Sequence, residues 1–235
     1  DLPAVEKLVR SGVDVNSLYG SGATPLMYAA AFAPVNVIQL LLNAGADVNA
    51  ANQAGATALM WATHDVQKVR LLIDHKAAVN SMRADGLTAL VSAALRGKSD
   101  VIEVLLAAGA DAHIGRASAL WASTPAQIAF TTNDPALHKL LIPATASSHI
   151  AGEWTPPPLT RWIATTVNSW RPQPHSSYAD VVTALLDAGA NPNEVIRQQT
   201  LALPALSRIA QLHDVEAMRV LLARGADPNA IGMAG

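Results

Sequence analysis

The stretch Gly45-Ala46-Asp47-Val48-Asn49, which follows the apolar run Leu40-Leu41-Leu42, decides the fold because it recurs along the chain. Successive copies begin 33, 31, 33, 80 and 36 residues apart, at Gly12–Asn16, Gly45–Asn49, Lys76–Asn80 (with Lys in the place of Gly), Gly109–His113, Gly189–Asn193 and Gly225–Asn229. Self-similarity at a period of about 33 residues is typical of stacked-repeat proteins. The longer interval of 80 residues predicts one degenerate copy together with an insertion.

A second motif alternates with the first. Its copies are Thr24–Ala30 (Thr-Pro-Leu-Met-Tyr-Ala-Ala), Thr57–Thr63, Thr88–Ala94 and, in a worn form, Thr124–Ala129. Between the motifs, apolar residues recur at helical spacing, as in Val101, Ile102, Leu105 and Leu106. Each unit is therefore predicted to form a helix, a short turn, a second helix and an extended finger.

The punctuating residues fit this order of elements. Thr starts the first helix because its hydroxyl can accept from free N–H groups, and Pro suits the first helical position. Gly after the Leu-Leu helix end supplies the left-handed residue that ends the second helix. Asp-x-Asn then shapes a turn by bonding to local backbone. One such unit cannot bury its apolar face alone, so the units must stack.

These motifs resemble the ankyrin repeat, with its Thr-Pro-Leu-His-x-Ala-Ala start, its Leu-Leu second helix and its Gly-Ala-Asp-Val-Asn turn. The resemblance implies an all-α repeat solenoid of stacked helix-turn-helix units with β-hairpin-like finger loops. One departure is consistent, because the family's His is replaced by Met27, Met60, Val91 and Gln127. We expect apolar packing to take over its role at Met27 and Met60.

The repeat register gives the expected organisation. It comprises a partial N-terminal repeat at 1–16 (its second helix), four repeats at 17–49, 50–80, 81–113 and 114–148 (degenerate), a repeat with a Trp/Pro-rich insertion at 149–193, a repeat at 194–229, and the start of a further finger at 230–235. Neither end resembles the polar cap that solenoids normally need. We therefore expect a longer natural polypeptide, or another protein that covers the ends.

Composition excludes much chemistry. The chain has 235 residues, no Cys, 14% charged residues and a formal net charge of −2. The lack of Cys excludes disulfides, thiol nucleophiles and Fe–S clusters, and the charge gives no footprint for nucleic acid. No apolar run approaches the roughly 18 residues of a membrane span. We expect a soluble bacterial protein, and the Cys-free, charge-poor composition favours a periplasmic over a cytoplasmic location.

Signals of catalysis and metal binding are weak. GxSxG, HExxH and P-loop spacings do not occur, and the seven His residues are dispersed over different repeats with no pair at metal-ligand spacing. We therefore expect no enzymatic activity, no cofactor, no metal and no small-molecule substrate. The aromatic residues Tyr28 and Trp61 occupy an apolar slot of the first helix, which favours a place in the core over a role in recognition.

The resemblance implies a non-catalytic protein–protein interaction scaffold, because in ankyrin arrays the fingers and the inner faces of the first helices form a concave binding surface. Candidate residues on or near the finger tips are Tyr19, Gln53, Arg83, Asp85, Arg116 and Trp121. Carried over by position, the inner helix faces add Ala31, Phe32, Leu95 and Arg96. The partner is expected to be another protein.

The insertion offers a further candidate contact. Its residues of interest are Trp154, Trp162, Trp170, Arg171 and Tyr178. Aromatic anchors beside an Arg are typical of binding hot spots, but the Trp side chains could instead fold back and seal the damaged repeat interface, and both readings stay open. Two other functions also remain: an ankyrin module of a larger enzyme or c-type cytochrome electron-transfer protein, and a structural subunit of a multiprotein complex.

Overall fold

A computed structural model of the chain describes residues 2–112, 114, 125, 128, 136–137, 139–141, 178–187, 189–198, 201–230 and 233–234. The chain divides into two compact units, Asp1–Ile128 and Ala129–Gly235. Each unit is described by itself.

The first unit is built from helix-turn-helix pairs. Its helices are α1 (Leu2–Arg10), α2 (Pro25–Phe32), α3 (Val35–Asn43), α4 (Ala58–Trp61), α5 (Val66–Asp74), α6 (Ala89–Leu95) and α7 (Ser99–Ala107). The inner helices α2, α4 and α6 pack on one another in chain order, and the outer helices α1, α3, α5 and α7 do the same. Two parallel stacks of helices make an all-α repeat solenoid, and this confirms the predicted fold class.

The second unit contains a helix, a small sheet and a helix pair. Its elements are α8 (Ala179–Asp187), β1 (Val195–Gln198), β2 (Leu201–Pro204), α9 (Ala205–Gln211), α10 (Val215–Ala223) and β3 (Met233–Ala234). The strands form an antiparallel sheet in the order β1-β2-β3, with Val195 opposite Pro204 and Ala202 opposite Met233. The β1–β2 hairpin directly precedes α9, where a finger is expected. Fingers of the first unit are closed by single bridges, Tyr19 to Ala23 and Ala51 to Thr57.

Small and branched apolar residues fill the core of both units. In the first unit the largest fully buried side chains include Leu26, Met27, Ile38, Leu59, Leu72, Leu90 and Leu105. In the second, Val182, Leu185, Ile209 and Leu221 form one cluster. Met27 and Met60 are only 0% and 4% exposed, so apolar packing does replace the family's His at these positions.

The predicted Thr caps form at two of three inner helices. Thr24 Oγ1 accepts from Met27 N at 3.3 Å, and Thr88 Oγ1 accepts from Val91 N at 3.1 Å. The prediction is wrong for Thr57, whose buried Oγ1 has no hydrogen-bond partner among the described residues. The helix that Thr57 precedes, α4, has only four residues.

The outer helices end as the Gly positions predict. Gly45 has φ +88° and Gly109 has φ +86°, both in the left-handed region. Lys76, which stands in the place of Gly after α5, is forced to φ +68°. A side chain with a Cβ is disfavoured there, because Cβ approaches the following carbonyl oxygen. The missing Gly therefore leaves local strain at this repeat.

Asparagine side chains join four of the outer turns to the turn that follows. Asn49 Nδ2 donates to the Lys76 carbonyl at 3.1 Å, and its Oδ1 accepts from Ala78 N at 2.7 Å. The same paired bonds run from Asn16 to Gly45 and Asp47, from Asn80 to Gly109 and Asp111, and from Asn193 to Gly225 and Asp227. The Asp two residues before each Asn accepts from that Asn's N–H in the Asp14 and Asp47 turns. The predicted Asp-x-Asn turn is thus confirmed, and it also connects repeats.

Replacing Asn49 by Ala should lower the free energy of unfolding by about 1–2 kcal/mol, because two hydrogen bonds between repeats are lost. Urea unfolding followed by far-UV circular dichroism measures the change. Gln67→Ala is the control, since Gln67 is an exposed residue of α5 and such surface changes usually stay within about 0.5 kcal/mol. Equal effects of the two substitutions would contradict a specific role for the bridge.

Replacing Lys76 by Gly should raise the free energy of unfolding by about 0.5–1 kcal/mol, because relief of left-handed strain outweighs the added freedom of the unfolded chain. The same urea titration reports it. Lys76→Ala removes the long side chain but keeps the Cβ, so it should bring no such gain. A gain with Ala as large as with Gly would show that the side chain, not the backbone, is the cause.

Candidate interaction surface

The inner helices present a row of exposed apolar side chains. Helix α2 buries Leu26, Met27, Ala29 and Ala30, so the remaining stripe of the helix faces away from the core. Phe32, at the end of that stripe, is 81% exposed, and Leu95, at the end of α6, is 63% exposed. Contiguous exposed apolar surface on a folded protein marks interaction sites.

Tyr28 and Trp61 belong to the same face. Their rings meet edge to face, with centroids 5.7 Å apart and planes at 89°. Tyr28 is 45% exposed and Trp61 is half-buried. The expectation that these residues are in the core is therefore wrong for Tyr28, because the face of α2 that packs in the core is formed by Leu26, Met27, Ala29 and Ala30, and Tyr28 lies outside it.

A groove of about 480 Å³ lies between the inner helices and the next finger. Its lining residues come from α2, α4, α6 and the adjoining loops, and they are Ala31, Phe32, Ala56, Met60, Trp61, His64, Arg83, Leu87, Ser92 and Arg96. Six of these ten residues are apolar or aromatic, and Arg83 and Arg96 carry permanent positive charges. The groove thus combines an apolar seat with cationic hydrogen-bond donors.

The fingers beside this groove are held by one another. Gln53 N donates to the Ser21 carbonyl at 3.0 Å, and Ala84 N donates to the Ala54 carbonyl at 3.1 Å. At Gly55, with φ +80°, a Cβ would come within 3.3 Å of Arg83 Cα. Glycine therefore lets consecutive fingers approach closely, and the finger tips have fixed positions.

Candidate residues predicted from the sequence fall into three groups. Phe32, Arg83 and Arg96 line the groove together. Tyr19 is 64% exposed and lies with Phe32 along a second, largely apolar groove, whereas Gln53 and Asp85 are exposed on finger tips. The remaining candidates Arg116, Trp121, Trp154, Trp162, Trp170 and Arg171 lie outside the described residues.

Tyr178 lies in the second unit and is half-buried. Its backbone N–H donates to Asp214 Oδ2, and the other carboxylate oxygen of Asp214 caps α10 at Ala217 N. Burial, and secondarily the charge of Asp214, raises the pKa of the Tyr178 phenol. The phenol is therefore neutral at pH 7, and its surroundings are those of a packed side chain.

Some residues of the groove were missed from the sequence. The groove beside Phe32 is also lined by Trp61, His64 and Leu87, which were not among the candidates. Tyr28, which packs on Trp61, was not a candidate either. A signal was present for the aromatic pair, since Tyr28 and Trp61 occupy the same position in consecutive repeats. Equivalent positions of stacked repeats lie next to each other, so a repeated aromatic indicates an aromatic row.

Lys68 supports the helix end that carries Phe32. Its side chain is only 5% exposed, and its Nζ donates to the Ala30 carbonyl at 3.1 Å. The residue four positions after Ala30 is Pro34, which has no N–H, so the helical partner of that carbonyl is missing. A cation is also favoured at a helix C-terminus. Lys68 therefore supplies the donor that the sequence of α2 lacks.

The described ranges contain neither a cluster of metal-binding side chains nor a helix that could span a membrane. Among these residues, no three His, Asp or Glu side chains come together where they could hold a metal ion. Within the same part of the chain, no helix is long and apolar enough to cross a membrane.

Comparison with known proteins identifies one family. A family model described as ankyrin repeats, in three copies, matches residues 1–68 and 51–116. These ranges contain α1 to α7 and the whole groove. No curated protein matches the chain.

Replacing Lys68 by Met should lower the free energy of unfolding by about 1–3 kcal/mol, because the Ala30 carbonyl loses its donor while the aliphatic stem stays. Thermal and urea unfolding measure the loss. Lys98→Met is the matched control, since Lys98 is half-buried and its side chain has no hydrogen bond within the described ranges. A similar loss in both variants would show that burial of the stem, rather than the bond to Ala30, is what matters.

Proposed function

Since the chain belongs to the ankyrin-repeat family through residues 1–116, we propose that it is a non-catalytic scaffold that holds a protein partner against the inner helix face and the finger tips of its first unit. Ankyrin repeats generally mediate protein–protein interaction and typically carry no catalysis. The observation that carries the proposal is the exposure of apolar side chains on the inner helices, at 45% for Tyr28, 81% for Phe32 and 63% for Leu95.

The geometry of the inner face supports this role. Aromatic side chains supply large contact areas and lose little conformational freedom on binding. The Tyr28–Trp61 pair is already in an edge-to-face arrangement, and the fingers beside it are joined backbone to backbone. A surface that is already in place for contact pays less ordering entropy when a partner binds.

The chemistry of the inner face also fits a contact rather than a reaction. Its ion pair, Arg83 Nη2 to Asp85 Oδ2 at 2.6 Å, lies on a finger, and Ser92 Oγ in the groove shares its hydrogen bond with Thr63 Oγ1 at 2.9 Å. The finger-tip residues Tyr19 and Gln53 would form the rim of the contact. The aromatic insertion is proposed as a second contact, through Trp154, Trp162, Trp170 and Arg171.

The test is capture of a partner from a lysate of the source organism by the immobilised chain. Phe32→Ser and Leu95→Ser should each remove most of the captured protein, because both side chains are exposed and lie on the inner face. Val215→Ser is the matched control, since Val215 is 56% exposed on α10 of the second unit. We expect it to capture as much partner as the unmodified chain.

The unfolding midpoints of all three variants should stay close to that of the parent chain, because solvent already covers these side chains. Capture that survives Phe32→Ser and Leu95→Ser together would contradict the proposed surface. A partner lost equally from the Val215→Ser control would point to the second unit instead.

A further inference from the structure

Arg83 and Arg96 are the charged side chains among those that line the groove between α2, α4 and α6, and Asp85 on the same finger pairs with Arg83. Arg83 enters from a finger and Arg96 from the end of α6, and no carboxylate is among the lining residues. The acidic residues Asp74 and Glu103 of this unit lie instead on the outer helices, where they line a different surface depression with Arg70. A chain with a formal net charge of −2 therefore presents a locally cationic groove.

Both arginines keep donors for a bound group. Arg83 uses one Nη for Asp85 at 2.6 Å, while its Nε is buried and has no hydrogen-bond partner within the described residues. Arg96 is exposed, and its guanidinium has no hydrogen-bond partner in that part of the chain either. Because the Arg83 Nε is buried, the donors of this side chain within reach of a bound group are those of its Nη atoms. The guanidinium fork matches the geometry of a carboxylate.

The other polar residues of the groove are already engaged. His64 Nδ1 lies 3.1 Å from the Trp61 carbonyl, and its Nε2 lies 3.4 Å from Lys68 Nζ. Ser92 Oγ shares a hydrogen bond with Thr63 Oγ1 at 2.9 Å. The donors left for a ligand are therefore those of Arg83 and Arg96, and the surface left beside them is that of Phe32 and Trp61.

We infer that this groove binds an acidic segment of a protein partner, with an Asp or Glu carboxylate between Arg83 and Arg96 and a neighbouring apolar side chain on Phe32 and Trp61. The inference rests on the proposed function and gives the chemistry of its partner. Two arginines beside aromatic rings could also attract a single-stranded nucleic acid. A protein segment is favoured because the chain as a whole is negatively charged, whereas a phosphate backbone needs an extended basic track.

The test begins with a random peptide library displayed on phage and selected against the immobilised full chain. Recovered sequences should share an Asp or Glu close to a Leu, Phe, Trp or Tyr. One recovered peptide, made synthetically with a fluorescent label, is then titrated by fluorescence anisotropy. Arg96→Gln should weaken its binding about tenfold, the usual size for a hydrogen bond between charged groups. Arg70→Gln is the matched control on the outer face and should change affinity by less than about twofold.

Two further variants separate recognition from structure. Asp85→Asn removes the carboxylate that competes for Arg83, so it should tighten binding, which a merely structural role of the finger would not produce. A peptide in which the Asp or Glu is replaced by Asn or Gln should bind the parent chain about tenfold more weakly. The same replacement should lower the affinity for the Arg96→Gln variant only slightly, because the two changes remove the same interaction.

Several outcomes would overturn the inference. The selection could yield no sequence above background, or it could yield peptides without acidic residues. Arg96→Gln could leave the affinity of the peptide unchanged. A single-stranded oligonucleotide could bind through Arg96 more tightly than any peptide does. Phe32→Ser distinguishes the two proposals. Peptides that lack acids but depend on Phe32 leave the proposed function standing, whereas peptides insensitive to both Phe32 and Arg96 contradict the function as well.

Discussion

The paired hydrogen bond of the turn asparagine is the contact on which the array depends. Apolar burial drives the helices together, but it is not directional and does not by itself fix one repeat over the next. Asn16, Asn49 and Asn80 each span to the following outer turn through both a donor and an acceptor. Two bonds from one planar amide set the position of each turn, and Asn193 repeats the arrangement in the second unit.

Because the outer turns and the buried leucines hold the repeats together, a few apolar side chains of the inner helices, Tyr28, Phe32 and Leu95, are left exposed. Phe32, for example, is 81% exposed although it ends a helix whose other face is fully buried. Arg83 and Arg96 line the inner groove, whereas the depression on the outer helices is lined by Arg70, Asp74 and Glu103. The proposed contact surface and the buried core thus use different residues of the same helices.

The sequence predicts those parts of the fold that depend on local geometry. Gly45 and Gly109 end helices because a left-handed residue is needed there, and Thr24 and Thr88 cap helices through their own hydroxyls. Prediction fails where a neighbouring repeat decides the outcome. Tyr28 is 45% exposed although its position in the repeat is apolar, and Thr57 lacks a cap bond although Thr88, which like Thr57 is followed by Ala-Leu, forms one. The repeat boundaries stay a prediction.

The candidate site shows the same limit more strongly. Phe32, Arg83 and Arg96 could be carried over by position, yet the groove also contains Trp61, His64 and Leu87, which only the stacking of three repeats brings together. The ends of the inner helices that line this groove are not stabilised by the residues of the two repeated motifs. Pro34 leaves the Ala30 carbonyl without its helical partner, and this absence is visible in the sequence, but the donor is Lys68, 38 residues further along the chain.

Lys68 also explains why the aromatic seat can be rigid. The bridge from Asn16 to the turn at Gly45 and Asp47, and that from Asn49 to the turn at Lys76 and Ala78, fix consecutive repeats on the outer side. The bond from Lys68, near the start of outer helix α5, to the Ala30 carbonyl of inner helix α2 adds a further tie between the two repeats that contain these residues. These ties oppose relative movement of the two repeats, so we expect the spacing of Tyr28, Phe32 and Trp61 to change little when a partner binds. A seat of this kind favours selectivity, because a partner must fit the spacing it meets rather than induce a new one.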